Sequence, residues 1–187
     1  MTESAEKRAT YEDILALPEN VVGEILGGRL HTHPRPAPRH ARAYSALGFS
    51  LGGPFDNGVG GPGGWWIIDE PELHLGPDVI VPNIAGWRRE RMPSLPEAAW
   101  FELAPDWVCE ILSPSTANID RAVKMPIYAR ESIKHIWLVD PDARTLENYA
   151  LQDDGRWLLL ATLRDDEVVR QVPFDAIGFD LGVLWVG

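Results

Sequence analysis

The ten residues Pro105-Asp106-Trp107-Val108-Cys109-Glu110-Ile111-Leu112-Ser113-Pro114 constrain this chain more than any other stretch. Trp107 to Leu112 is a short apolar run of β-branched and aromatic character, with proline before it and Ser-Pro behind it, the pattern of a buried strand. Glu110 puts one charge into that run. A carboxylate in a strand apolar on both faces is costly to bury unless a cation or hydrogen-bond donors meet it. The candidate cation is Lys124, on a following helical segment where Asp120, Lys124 and Tyr128 recur every four residues and so share one face. That face can point back at Glu110, as a structural ion pair or as part of a metal or catalytic site; the pair alone leaves both open.

At 187 residues with 45% hydrophobic content, the chain is long enough for one full core. No composition break suggests a second unit, so a single domain over residues 1–187 is expected, with residues 1–9 as a flexible tail. The one cysteine, Cys109, excludes an internal disulfide, and its place between Val108 and Glu110 favours a small core residue over a nucleophile. A reducing, cytoplasmic setting fits. Met1 to Arg8 has no apolar signal region, and no stretch approaches the ~20 apolar residues that span a bilayer, so no membrane partner is expected. Seventeen basic against twenty-eight acidic residues leave a net charge of −11, which works against unassisted binding to a polyanion. Carboxylates that hold a divalent ion are neutralised by it, so local distribution matters more than the sum.

In chain order, Thr10 and Asp13 have the spacing of a helix N-cap before a short helix from Tyr11 to Leu17. Val21 to Leu26, Gly27-Gly28 and Arg29 to His33 read as a hairpin with Glu24 inside its first strand. His40 opens a helix to Leu51 with the stripe Ala43, Leu47, Leu51. Residues 52–64 are too rich in glycine and proline for regular structure and read as a long turn or lid. Trp65 to Ile68 and Val79 to Pro82 are strands, the second ending at Asn83. Arg88, Arg89 and Arg91, with Arg35, Arg39 and Arg42 around His40, are the local basic patches, each near a candidate site residue in sequence; they are either a solvated face or nucleic-acid contacts. His135 to Val139 is an apolar strand, Thr145 to Leu151 and Trp157 to Leu163 form a hairpin around Asp153-Asp154-Gly155, and Val168 to Val172 and Leu181 to Val186 close the chain.

Four segments in this order resemble the Uma-type restriction-endonuclease family, a bacterial branch of the PD-(D/E)XK nuclease superfamily. They are Gly23 to Leu30, Asp78 to Trp87, Pro105 to Thr116 and Lys124 to Pro141. The resemblance implies an α/β fold, a mixed β-sheet flanked by helices with additional hairpins. It also implies a DNA endonuclease in which Mg²⁺ or Mn²⁺ is held by Glu110, the position of Asn83, and Glu24, with Lys124 catalytic and His40 nearby. Superfamily enzymes that cut both strands are often two-fold dimers, so a homodimer is expected, with the last strand and Trp185 as its interface. The family carries aspartate where this chain has Asn83. Asp78, after Pro77, fits the letters of the motif but not the alignment of Ala85-Gly86-Trp87 behind it. Asparagine keeps one oxygen ligand and loses the negative charge that binds a hard cation, so weakened or absent catalysis is expected. The lysine two residues after the glutamate in the usual superfamily motif is Leu112 here; the resemblance implies that this family places it on the next helix, at Lys124.

Two other readings remain. One is a catalytically silent member of the same fold that binds nucleic acid or a protein partner. The other is a cupin-like β-barrel with a transition metal on His31, His33 and His40, against which stand Pro34, Pro36 and Pro38 directly behind His33.

Overall fold

The computed structural model describes residues 8–34 and 37–185. Arg35 therefore lies outside the described residues, as do residues 1–7 of the expected tail. Ala9 already donates its N–H to the Gly28 carbonyl at 2.9 Å. The Thr10–Asp13 capping box opens α1 (Tyr11–Leu15), and the Asp13 carboxylate accepts the Thr10 N–H at 2.7 Å. The hairpin pairs β1 (Val21–Leu26) with β2 (Arg29–Pro34) through a two-residue turn. Gly27 and Gly28 adopt φ of +60° and +81°, the left-handed pair that a tight hairpin needs and that side chains resist.

Helix α2 (Pro38–Leu51) starts with proline at its first position, where no N–H is required, and buries Ala43, Ala46, Leu47 and Leu51. The chain does not loosen at Gly52. It continues as a π-helical turn (Gly52–Asp56), because Phe55 is buried with its ring 4.8 Å from that of Phe174. The irregular stretch expected from residue 52 begins after that turn.

Two sheets follow. The larger has strand order β10-β9-β8-β7-β6-β3 and the smaller β2-β1-β5-β4, where β3 is Trp65–Asp69, β4 Leu73–Leu75, β5 Asp78–Ile80, β6 Ile84–Arg88, β7 Trp107–Ile111, β8 His135–Asp140, β9 Thr145–Leu151 and β10 Trp157–Arg164. Only β7 and β8 run parallel in the larger sheet. Between them the chain crosses over as α3 (Ala117–Ile119), a π-helical turn (Asp120–Lys124) and α4 (Met125–Arg130).

The strand expected over Val79 to Pro82 is in fact cut at Ile80. Proline has no N–H to give a ladder, and the Val81 N–H goes to a side chain, so Val81-Pro82-Asn83 hands the chain from the small sheet to the large one. The residues just after it form β6, a strand not legible beforehand. Leu181–Leu184 is a 3₁₀ turn rather than a closing strand, and before it β11 (Val168–Val169) pairs β12 (Phe179–Asp180).

All five residues of β7 are buried. Trp107, Cys109 and Ile111 pack with α2 residues, Trp65, Trp137 and Phe174, whereas Val108 lies in a second core with Leu26, Leu73, Leu75 and Ile80 of the small sheet and Met125, Ile127 and Tyr128 of α4. Alternation along a strand sends Glu110 to the side of Val108, into the space between the small sheet and α4. An open mixed sheet of this kind is not a cupin barrel, which removes the scaffold for that reading. No helix among the described residues is long and apolar enough to cross a membrane.

Candidate active site

Glu110, the interrupting charge of β7, meets Lys124. The ammonium Nζ lies 3.3 Å from Glu110 Oε1, 2.9 Å from Glu24 Oε1 and 3.6 Å from Asp120 Oδ1. The Tyr128 hydroxyl donates to the same Glu110 oxygen at 2.5 Å. Asp120, Lys124 and Tyr128 thus share the face that their four-residue spacing predicts, even though the chain passes through a π-helical turn there. Asp120 and Tyr128 were legible as neighbours of Lys124 but not as direct partners in the site.

Glu24 is buried. Its Oε1 accepts the Val81 N–H at 2.8 Å, and its Oε2 lies 3.5 Å from His33 Nε2. Asn83 stands opposite Glu110, since β6 and β7 pair Ile84 with Cys109 in antiparallel register. Its Oδ1 accepts the Ile111 N–H at 2.7 Å. His40 reaches the same place from α2, where its half-buried ring bonds to the Ile111 backbone while Nδ1 is buried without a hydrogen-bond partner. The end of β7 therefore gathers Glu24, Asn83, Glu110, Lys124 and His40. Asp78 is structural: its carboxylate accepts the Gly27 N–H at 2.6 Å and pairs with Arg130 at 2.7 Å.

The electrostatics are uneven. Burial would raise the Glu24 pKa, but Lys124, His33 and the Val81 N–H outweigh it and hold the carboxyl at about 2. Burial pushes Glu110 up to about 7, with the negative charges of Asp120 and Glu24 adding to it against the pull of Lys124 and Tyr128. Asp120 is raised by burial as well. Lys124 holds its proton more tightly than usual, because the three carboxylates overcome the cost of its burial. Burial lowers the His40 pKa, which leaves the ring neutral at pH 7. Cys109 is fully buried and its thiol pKa is raised by that burial, as befits a core residue.

Arg88, the last residue of β6, and Arg89 and Arg91 just after it do not lie beside this site. Arg88 is five residues from Asn83, about 16 Å along an extended strand. Its guanidinium sits 4.6 Å above the Trp65 ring. Arg89 stacks 3.7 Å above Trp66 and pairs with Asp56, and Arg91 pairs with Asp106 at 2.8 Å. Proximity in sequence is lost because a strand carries its two ends to opposite edges of the sheet. Arg39, in the first turn of α2 next to His40, is 71% exposed and 3.6 Å from Asp142. A surface cavity of 430 Å³ is lined by Met92, Leu95, Trp100, Phe101 and Leu103 in the β6–β7 connection, at the arginine end.

Among the described residues, no group of three or more His, Cys, Asp or Glu side chains is placed to hold a metal ion. The carboxylates of Glu24, Glu110 and Asp120 are turned onto Lys124 instead. In kind, the donors suit a hard cation: two glutamates and an amide oxygen are what Mg²⁺ takes. Both bonds to Glu110 fall on Oε1, which leaves Oε2 as the oxygen a cation would take.

The family described as "Uma2: Putative restriction endonuclease" matches residues 9–183. The chain belongs to this family. No curated protein matches it. Among solved structures, one from Anabaena variabilis ATCC 29413, described as a putative nuclease belonging to DUF820, is similar to this chain at 24% identity and a TM-score of 0.73, covering 94% of this chain and 97% of the other. At that identity the likeness shows the shared nuclease-like fold.

Proposed function

We propose that this Uma2-family chain is a metal-dependent endonuclease for DNA phosphodiester bonds whose turnover is held back by Asn83. The observation that carries the reading is the convergence of Glu24, Glu110 and Lys124 at the sheet end where Asn83 stands opposite Glu110. Glu110, Asn83 and Glu24 would hold Mg²⁺ or Mn²⁺. Such a cation stabilises charge on a scissile phosphate and makes a bound water a better nucleophile.

The chain's own residues do the rest. Lys124, released from part of its carboxylate cage, turns its ammonium to the phosphate oxygens and orients the attacking water. His40 fixes the Ile111 backbone at the edge of the site. Arg39 offers an exposed guanidinium to a backbone phosphate, a contact that positions the duplex without reading its sequence. A reducing, cytoplasmic setting suits the buried Cys109 thiol.

A silent, binding-only version of the fold is favoured by one specific feature. Lys124 already satisfies all three carboxylates, and the neutral Asn83 adds no charge to draw a cation in its place.

Nicking of supercoiled plasmid in Mg²⁺ and in Mn²⁺ separates the two. It should be compared for this chain, for Asn83→Asp and for Asn83→Asp with Glu110→Gln. Glutamine nearly matches glutamate in shape, so the core should survive. Cutting that appears or rises at least tenfold with the aspartate and vanishes with the glutamine supports the nuclease reading. No cutting by any of the three, with no Mn²⁺ binding, leaves the binding role.

A further inference from the structure

The large sheet ends at β10. Its inner side pairs with β9, and its outer edge meets no strand among the described residues. On this edge Leu158, Leu159 and Leu160 are 49%, 48% and 43% exposed. No charged residue stands between Trp157 and Leu163. Folded proteins usually blunt such an edge with charges or cover it, because its free N–H and C=O groups invite another strand. A bulge between Leu159 and Ala161 adds twist here but places no charge.

We propose that the β10 edge is covered by β10 of a second copy of this chain, paired antiparallel about a two-fold axis between Leu160 and Ala161. The strand is self-complementary about that point. Two-fold pairing sets Leu158 against Leu163 and Trp157 against Arg164 of the other copy. Directly opposed residues in an antiparallel pair share a face, so each end closes with a guanidinium over an indole. A slip of one residue instead sets Leu159 against Ala161, which the bulge places on opposite faces of the sheet. Directly opposed residues of an antiparallel pair must share a face, so alternation excludes that register.

The axis of such a pair is perpendicular to the sheet, so both Glu110 clusters open on the same face of one continuous twelve-stranded sheet. This assembly does not depend on whether the site turns over DNA. It also moves the interface away from Trp185, whose indole N–H is committed to the Asp165 carbonyl at 2.6 Å and whose ring packs on the core.

Sedimentation equilibrium of the full chain tests it across a wide range of concentrations. The expected mass is twice 20.8 kDa, falling to 20.8 kDa in Leu159→Lys and in Leu160→Asp, with circular dichroism unchanged. Arg164→Glu should weaken the dimer about fivefold, because it takes the guanidinium from the Trp157 ring of the other copy. Hydrogen exchange supplies a second readout, since β10 amides should lose protection on dilution of the unsubstituted chain. A monomer at every concentration overturns the proposal. So does a dimer indifferent to these substitutions, or a β10 edge whose exchange does not change with concentration.

Discussion

The two ends of β6 treat charge in opposite ways. At its far end each arginine has its own counter-group: Arg89 has Asp56 and the Trp66 face, Arg91 has Asp106, and Arg88 has Trp65. All three sit where water still screens them. At the Asn83 end, three carboxylates share one lysine in a nearly dry space, with Glu24, Glu110, Asp120 and Lys124 each under 5% exposed. The contrast teaches that the number of buried charges matters less than how they are matched. One end gives each guanidinium its own partner, and the other makes three carboxylates share a single ammonium.

Removal of Lys124 is the harshest way to break this contrast. Lys124→Ala leaves three buried carboxylates without a cation, and breaking a buried pair from one side costs about 3–5 kcal/mol. Urea denaturation should show a loss of that size. A loss under about 1 kcal/mol would mean that the carboxylates take up protons or water with little strain, which would place the site among ordinary structural ion pairs.

The pH dependence sharpens it further. The folded-state pKa of Glu110 is raised from 4.5 to about 7, so the folded state prefers the protonated group. Its stabilising contribution is complete below pH 4.5 and is lost as pH rises through about 7. Glu24 behaves in the opposite sense: with its pKa lowered from 4.5 to about 2, it stabilises above 4.5 and loses that contribution as pH falls toward 2. Two glutamates on one lysine thus have opposite signs, because Glu24 has the Val81 N–H and His33 in addition, whereas Glu110 has only Tyr128 beside Lys124. Denaturation midpoints measured from pH 4 to 8 should fall with rising pH for the unsubstituted chain, and that decline should largely disappear in Glu110→Gln. A parallel slope in both would assign the decline to other groups.

Much of this was legible in the residues. Gly27-Gly28 forces a turn that only left-handed backbone can make, so the hairpin carrying Glu24 was fixed by local chemistry. Asp120, Lys124 and Tyr128 declare a common face through spacing alone, and a charge inside an apolar strand demands a partner. The rest is set by long-range pairing, which spacing does not encode. Nothing local says that Val81-Pro82-Asn83 changes sheets, that Ile84 starts a new strand, or that the strand then carries Arg88 away from Asn83. The burial of Glu24 follows from the small sheet lying over β7, and His33 becomes its neighbour only because the hairpin is folded. The weak clue to the sheet change was Pro82, a residue that a central ladder does not admit.

The mildest substitution probes the quiet end of β6. Arg91→Ala removes the ion pair to Asp106, but Asp106 keeps the Arg88 N–H at 2.8 Å and the Arg91 side chain is 41% exposed. A partly exposed pair of this kind contributes about 0.5–1 kcal/mol, and the loss should shrink further in high salt. Plasmid nicking by an Asn83→Asp chain should be unchanged by the added Arg91→Ala, because the guanidinium lies a strand length from Glu110. The same alanine at Arg39 should reduce nicking several-fold without affecting stability, since Arg39 is exposed beside His40. A tenfold loss of cutting from Arg91→Ala instead would place nucleic acid at the arginine end of the strand, and the two ends of β6 would then have to be read as parts of one binding surface.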